Sequence, residues 1–105
     1  MKTGDKATLI MKKALHANIT MDEKVYLCRV LRYETKQECI YLVLENDSLP
    51  AISLDAIYEC QIQEMKNVLV CTGRIRERFY NEFGKILQFE IENGFYKINV
   101  KSVDK

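Results

Sequence analysis

Between residues 85 and 100, two runs of alternating apolar residues flank the dipeptide Asn93-Gly94. Few sequence features constrain a fold more, because a two-residue type I′ turn needs positive φ at both central positions and Asn-Gly adopts it readily. Such a turn sets Glu92 opposite Phe95, Ile91 opposite Tyr96, Glu90 opposite Lys97 and Phe89 opposite Ile98. Leu87, Phe89 and Ile91 then share an apolar face with Tyr96, Ile98 and Val100, while Glu90 and Lys97 meet on the polar face. Turn chemistry and side-chain pattern together predict a hairpin of strands 85–92 and 95–100.

The preceding strand, 68–79, turns through Asn81-Glu82-Phe83-Gly84, with Gly84 placed for the left-handed residue of a three-residue loop and G1 bulge. Reading the ladder back from that turn puts Ile75 near Phe89 and Gly73 near Ile91 inside, with Arg76 near Gln88 and Arg74 near Glu90 outside. A glycine in mid-strand, as at Gly73, predicts a sharp bend or a close backbone approach.

Upstream, residues 25–33 and 39–44 are rich in Val, Ile, Leu and Tyr and are separated by the polar stretch 34–38, a hairpin signal. Val30 and Leu31 are adjacent apolar residues, so a bulge is expected there. Residues 45–50 read as a loop ending at the only proline, Pro50. Residues 57–63 alternate, with Tyr58, Cys60 and Ile62 on one face. A helix can also be drawn over 54–66, but the period of two and the turn at 65–67 favour a strand. The six strands are expected to close into a small antiparallel β-barrel, which removes sheet edges.

Only residues 6–17 read as a helix. Asp5 suits the N-cap, Ala7, Ile10, Met11, Ala14 and Ala17 recur at helical spacing, and Asn18 can end it. The competing reading is an edge strand over 7–11. His16, the only histidine, would then cap the helix's last carbonyls. The fold expectation is therefore all-β with one short N-terminal helix: a single domain, 1–105, in which 1–20 form a helix or edge strand and 24–103 the six-stranded antiparallel barrel.

Sixteen basic residues against fifteen acidic ones leave a net charge of +1, which argues against a protein that grips phosphate backbones. No apolar run approaches the ~20 residues of a membrane span, and no signal-peptide pattern follows Met1. The chain is expected in the cytoplasm. Cys28, Cys39, Cys60 and Cys71 lack the Cys-x-x-Cys knuckle of a zinc site, and a disulfide scaffold needs an oxidising compartment. They are expected to stand in strands as small, half-buried hydrophobes, and no metal or cofactor is expected. The segment 25–30 echoes 57–62, sharing Tyr and Cys at matching positions, and a chance likeness of two hairpins is expected.

Arg74, Arg76 and Arg78 alternate with Ile75 and Glu77, so three guanidiniums are expected on one face of one strand. Each guanidinium fork can hold a phosphate or carboxylate in two contacts. The plainer alternative is a solvated ladder in which Glu90 already answers Arg74. Phe83, at a loop tip, and Phe95, beside the Asn-Gly turn, are expected to be exposed. Aromatics beside arginines stack bases or anchor a partner protein. The candidate ligand-binding residues are Arg74, Arg76, Arg78, Tyr80 and Phe83. No paired carboxylates, histidine dyad or cysteine with a base is found, so no enzymatic activity is expected.

A barrel of this kind with Arg74-Ile75-Arg76-Glu77-Arg78, and before it Asn46-Asp47-Ser48-Leu49-Pro50-Ala51, resembles the PilZ family, whose members bind cyclic di-GMP. The family places its Arg-x-x-x-Arg pair first and its Asp/Asn-x-Ser-x-x-Gly later, ending in glycine; here the order is inverted and Ala51 stands at the glycine. The succession over 25–103 looks more like the PilZ-like, split-barrel type found N-terminal in flagellar-brake proteins, which mediates contacts. The resemblance implies a non-catalytic bacterial regulatory module with a protein partner, linked through the arginine face to cyclic di-nucleotide signalling. The alternative is a small OB- or Sm-type barrel using the same arginines on single-stranded nucleic acid, which the near-neutral charge disfavours.

Overall fold

The computed structural model describes residues 1–17 and 19–99, and alternating burial along each segment shows why they form strands. The strands are β1 (Lys6–Ala14), β2 (Val25–Glu34), β3 (Cys39–Leu44), β4 (Ala56–Gln63), β5 (Asn67–Asn81) and β6 (Gly84–Asn99), with a 3-10 turn at Leu49–Ala51. All pairings are antiparallel, and the strands close into a barrel in the order β1-β2-β3-β6-β5-β4. The ring is two consecutive three-stranded meanders, β1–β2–β3 and β4–β5–β6. They join at two seams, β3 against β6 and β1 against β4.

Inward residues fill the barrel with apolar side chains. Leu9, Tyr26, Ile40, Leu42, Tyr58, Ile62, Ile75, Leu87 and Phe89 are all buried in one cluster. Each such side chain contributes roughly 1.5–3 kcal/mol by leaving water. Because β3 and β4 lie on opposite sides of the ring, the connection between them must cross one mouth of the barrel. Leu49 and Ile52 are buried in that crossover, and Leu54 packs against the core. At the other mouth the N-terminal ammonium of Met1 pairs with Glu64, and Phe95 meets Tyr33 edge-to-face at 5.8 Å between ring centroids. Among the described residues no helix is long and apolar enough to cross a membrane.

The N-terminal segment corrects the helix expectation. Residues 6–14 are β1, paired on both sides, with Ala7, Leu9 and Met11 buried at a period of two. The sequence carries both periods, and the strand wins because it is the stave between β2 and β4 that closes the ring. It is not an edge strand either. Asp5 caps no helix; its carboxylate accepts from the Lys2 amide in a tight turn. His16 lies 3.7 Å from Asp55 instead of at a helix end. Asn18, expected to end the helix, lies outside the described residues, as do 100–105 and with them Val100 of the final expected strand.

The Asn93-Gly94 hairpin is the second correction. Residues 84–99 are one continuous strand, and Gly94 has no positive φ among the described residues. β5 pairs with β6 along its whole length and β3 pairs with Ile86–Glu90, so Phe89 and Glu90, which the turn would set against Ile98 and Lys97, are already paired on both sides. Asn93 and Gly94 instead fall in an irregularity of the β5–β6 ladder, between Thr72↔Asn93 and Val70↔Tyr96, where the Asn93 amide donates to Thr72 Oγ1 at 3.0 Å. The face assignments beyond the dipeptide change accordingly. Tyr96, expected in the core, is exposed, whereas Phe95, expected to be exposed, is partly buried.

The other strands, the Leu31 bulge and the pairs Ile75↔Phe89 and Gly73↔Ile91 stand where the sequence placed them. Gly84 has the expected positive φ, +121, but it pairs with Asn81, so the loop is the two residues Glu82 and Phe83 and not three. A Cβ on Gly73 would fall 1.9 Å from the Glu90 carbonyl oxygen, so this glycine is demanded by a close backbone approach. The echoing segments 25–30 and 57–62 lie in the two strands that flank β1, where Tyr26 and Tyr58 meet edge-to-face at 6.4 Å. The four cysteines are free and more deeply buried than expected, Cys60 lying directly across from Cys71.

Candidate functional site

A bulge decides how the candidate residues are displayed. The β5–β6 register shifts between Ile75 and Glu77, which inserts Arg76 as an extra residue and reverses side-chain alternation beyond it. Residues opposite one another in an antiparallel ladder share a face. Arg74 pairs with Glu90 on the outer wall, whereas Arg78 pairs with Leu87, a core residue. The three arginines expected on one face are therefore divided, with Arg74 and Arg76 outside and Arg78 on the barrel-facing side.

On the outer wall, Arg76 donates to Glu90 at 2.9 Å. Glu90 thus answers Arg76 rather than its ladder partner Arg74. A cleft of about 400 Å³ opens beside them, lined by Leu54, Arg74, Ile75, Arg76 and Glu90. On the barrel-facing side, the Arg78 guanidinium donates to the Ile52 carbonyl at 2.8 Å and so ties the hairpin to the crossover. It borders a second cleft, of about 430 Å³, whose polar lining includes Asp22, Ser53 and Asp55.

Two tyrosines form the floor of this mouth. The Tyr26 hydroxyl donates to the Asp22 carboxylate and reaches the Ala51 carbonyl at 3.2 Å, and the Tyr58 hydroxyl accepts from the Ser53 amide at 3.0 Å. Burial pushes the Tyr26 phenol above its ordinary range, and the neighbouring Asp22 adds to the shift. At the rim, Lys24 bonds Asp47 and holds that carboxyl below the usual carboxylate range. Lys85 donates to the Asp47 carbonyl, so the base of the hairpin is also tied to the crossover.

Beyond Arg78 the hairpin continues past the barrel wall. Tyr80, opposite Lys85, is 70% exposed, and Phe83 at the turn is 59% exposed, in keeping with its expected place at a loop tip. On the opposite face of the hairpin Ile86 lies between Phe79 and Val43 in the ladder and is fully buried outside the central cluster. Ile86 thus gives the base of the arm a buried apolar contact of its own. The five candidate residues thus lie on one hairpin but on two faces and a tip.

The sequence reading missed Asp22, Ile52 and Asp55, which complete the mouth cleft. No local motif marks them. They meet Arg78 only because ring order sends the β3–β4 connection over the mouth. Comparison of the chain with family models, curated proteins and solved structures finds no match.

Proposed function

We propose that the chain is a non-catalytic binding module that acts by contact with a protein partner through the β5–β6 hairpin. One observation carries this reading: the hairpin runs past the last β4 pairing, Tyr58↔Gly73, and presents Tyr80 and Phe83 to solvent beside arginines. Aromatic and arginine side chains are the ones that anchor protein contacts. An arm already paired as a hairpin costs little ordering on binding. The closed ring of six strands fits the PilZ-like resemblance at the level of fold, and four free, buried thiols fit a reducing cytoplasm. The near-neutral charge favours a protein partner over a polyanion.

Photo-crosslinking in the cell of origin tests the reading. With p-benzoylphenylalanine replacing Phe83, a discrete adduct is expected that does not form when the same group replaces Met65, an almost fully exposed residue at the opposite mouth. Identical adduct patterns from the two positions would overturn it.

A further inference from the structure

We propose that residues 76–81 of β5 are a strand-addition site for an extended, acidic segment of another protein. The inference rests on the contact reading above and specifies its geometry.

The backbone is the first ground. Register between β4 and β5 ends at Tyr58↔Gly73, and from Arg74 to Asn81 the strand pairs with β6 alone. Among the described residues no other backbone hydrogen bond reaches 74–81. The β4 side of this stretch therefore has no ladder partner; Ile75 is buried, so the N–H and C=O groups open to an added strand lie within 76–81, and such groups are the template that strand addition uses. The β4 residues that would continue the ladder, Ala56 and Ile57, pair with β1 instead. Two clefts border the stretch, the outer-wall cleft at Arg74, Ile75 and Arg76 and the mouth cleft at Arg78, and Leu54 lines both. Alternate side chains of an added strand would enter these two clefts.

Charge selects the occupant. Residues 74–81 hold three arginines and one glutamate, a local excess of +2 in a chain of net +1. Arg74 has no carboxylate within 4.0 Å among the described residues. A second copy pairing edge to edge would bring the outer-wall guanidiniums of Arg74 and Arg76 against those of the other copy, and like charges directly opposed are destabilising. Bulges and cations are the devices by which proteins stop open edges from self-associating. Here the Arg76 bulge and its neighbours have that effect against neutral or basic strands, while carboxylates at alternate positions convert the barrier into attraction. An acidic extended segment satisfies backbone and side chains together.

The test follows amide signals of the nitrogen-15-labelled full chain. The probes are an acetylated, amidated nonapeptide alternating Glu with Thr and its counterpart alternating Lys with Thr. The Glu peptide is expected to shift the amides of 76–81 and slow their hydrogen exchange by about tenfold or more. The effect should weaken as salt is raised, and the Lys peptide should leave these amides unchanged. In the double variant Arg74→Glu, Arg76→Glu the preference should reverse. Equal response to both peptides, or response to neither, would overturn the proposal. Shifts confined to Tyr80 and Phe83 without protection of the edge amides would also overturn strand addition but leave the contact reading standing. The crosslinking at Phe83 decides that reading separately.

Discussion

Residues 67–73 of β5 are paired on both sides, by β4 and by β6, whereas the backbone of residues 74–81 pairs with β6 alone. In the first stretch Leu69, Val70, Cys71 and Gly73 are buried; in the second only Ile75 is, and polar or aromatic side chains face solvent. The change falls within a single unbroken strand. What separates the halves is the departure of β4 toward β1 and the bulge at Arg76, not a turn or a linker. One element thereby serves both closure of the barrel and display of a surface.

If that division is right, substitutions on the two sides of it should differ sharply. The largest effect is expected opposite Ile75, where Phe89→Ala empties a fully buried position and should cost about 3–5 kcal/mol in urea unfolding. Phe83→Ala, on the arm, should stay within about 0.5 kcal/mol. Gly73→Ala should cost about 3 kcal/mol or prevent folding, because its Cβ meets a backbone carbonyl that cannot step aside. Gly94→Ala sharpens the contrast. Nothing lies within 4 Å of the added Cβ, so the change should be neutral or stabilising by about 0.5 kcal/mol. A type I′ turn at Asn93-Gly94 would make the same substitution clearly destabilising.

A pH titration probes the buried groups of the barrel interior. Burial pushes the Cys28 thiol up to about 12, and Cys60, its free thiol hydrogen-bonded to that of Cys71 and buried, is raised well above its ordinary value. A group whose folded pKa is raised releases its proton first in the unfolded chain. Stability should therefore be full below about pH 8.5 and fall as pH rises toward 12, by up to about 1.4 kcal/mol per pH unit for each such thiol. Urea midpoints at stepped pH measure it, and Cys28→Ala should flatten the slope. The smallest effect is expected on the arm. Arg76→Ala removes an exposed ion pair with Glu90 and should change stability by no more than about 0.5 kcal/mol, so any larger loss in partner binding would be read as contact.

Much of this contrast was legible in the sequence, and the exceptions share a cause. The alternation of 57–63, the polar turn at 34–38 and the pairing Ile75↔Phe89 follow from patterns confined to neighbouring residues. Gly73 announced its close approach because no side chain in mid-strand is itself a signal. The Asn-Gly dipeptide misled because its turn preference is local, while barrel closure commits both sides of Ile86–Glu90, the stretch against which the turn would fold the chain back. The N-terminal segment misled because Ala7, Ile10, Met11 and Ala14 fit a helix as well as Ala7, Leu9 and Met11 fit a strand, and only the vacancy between β2 and β4 decides. The arginines expected on one face are split between two. One inserted residue reverses a face, and nothing in Arg-Ile-Arg-Glu-Arg shows where the insertion falls.

The two seams of the ring have a consequence for what happens if the chain is cut. The crossover from Glu45 to Asp55 is the sole covalent link between the meanders, and Asn46-Asp47-Ser48 within it is a polar turn. A nick there would yield two three-stranded halves, each with one bare edge for either seam, and each edge complementary to the other half. Expressed as separate polypeptides, they should recombine as a split protein does, with the β5–β6 arm carried intact on the C-terminal fragment.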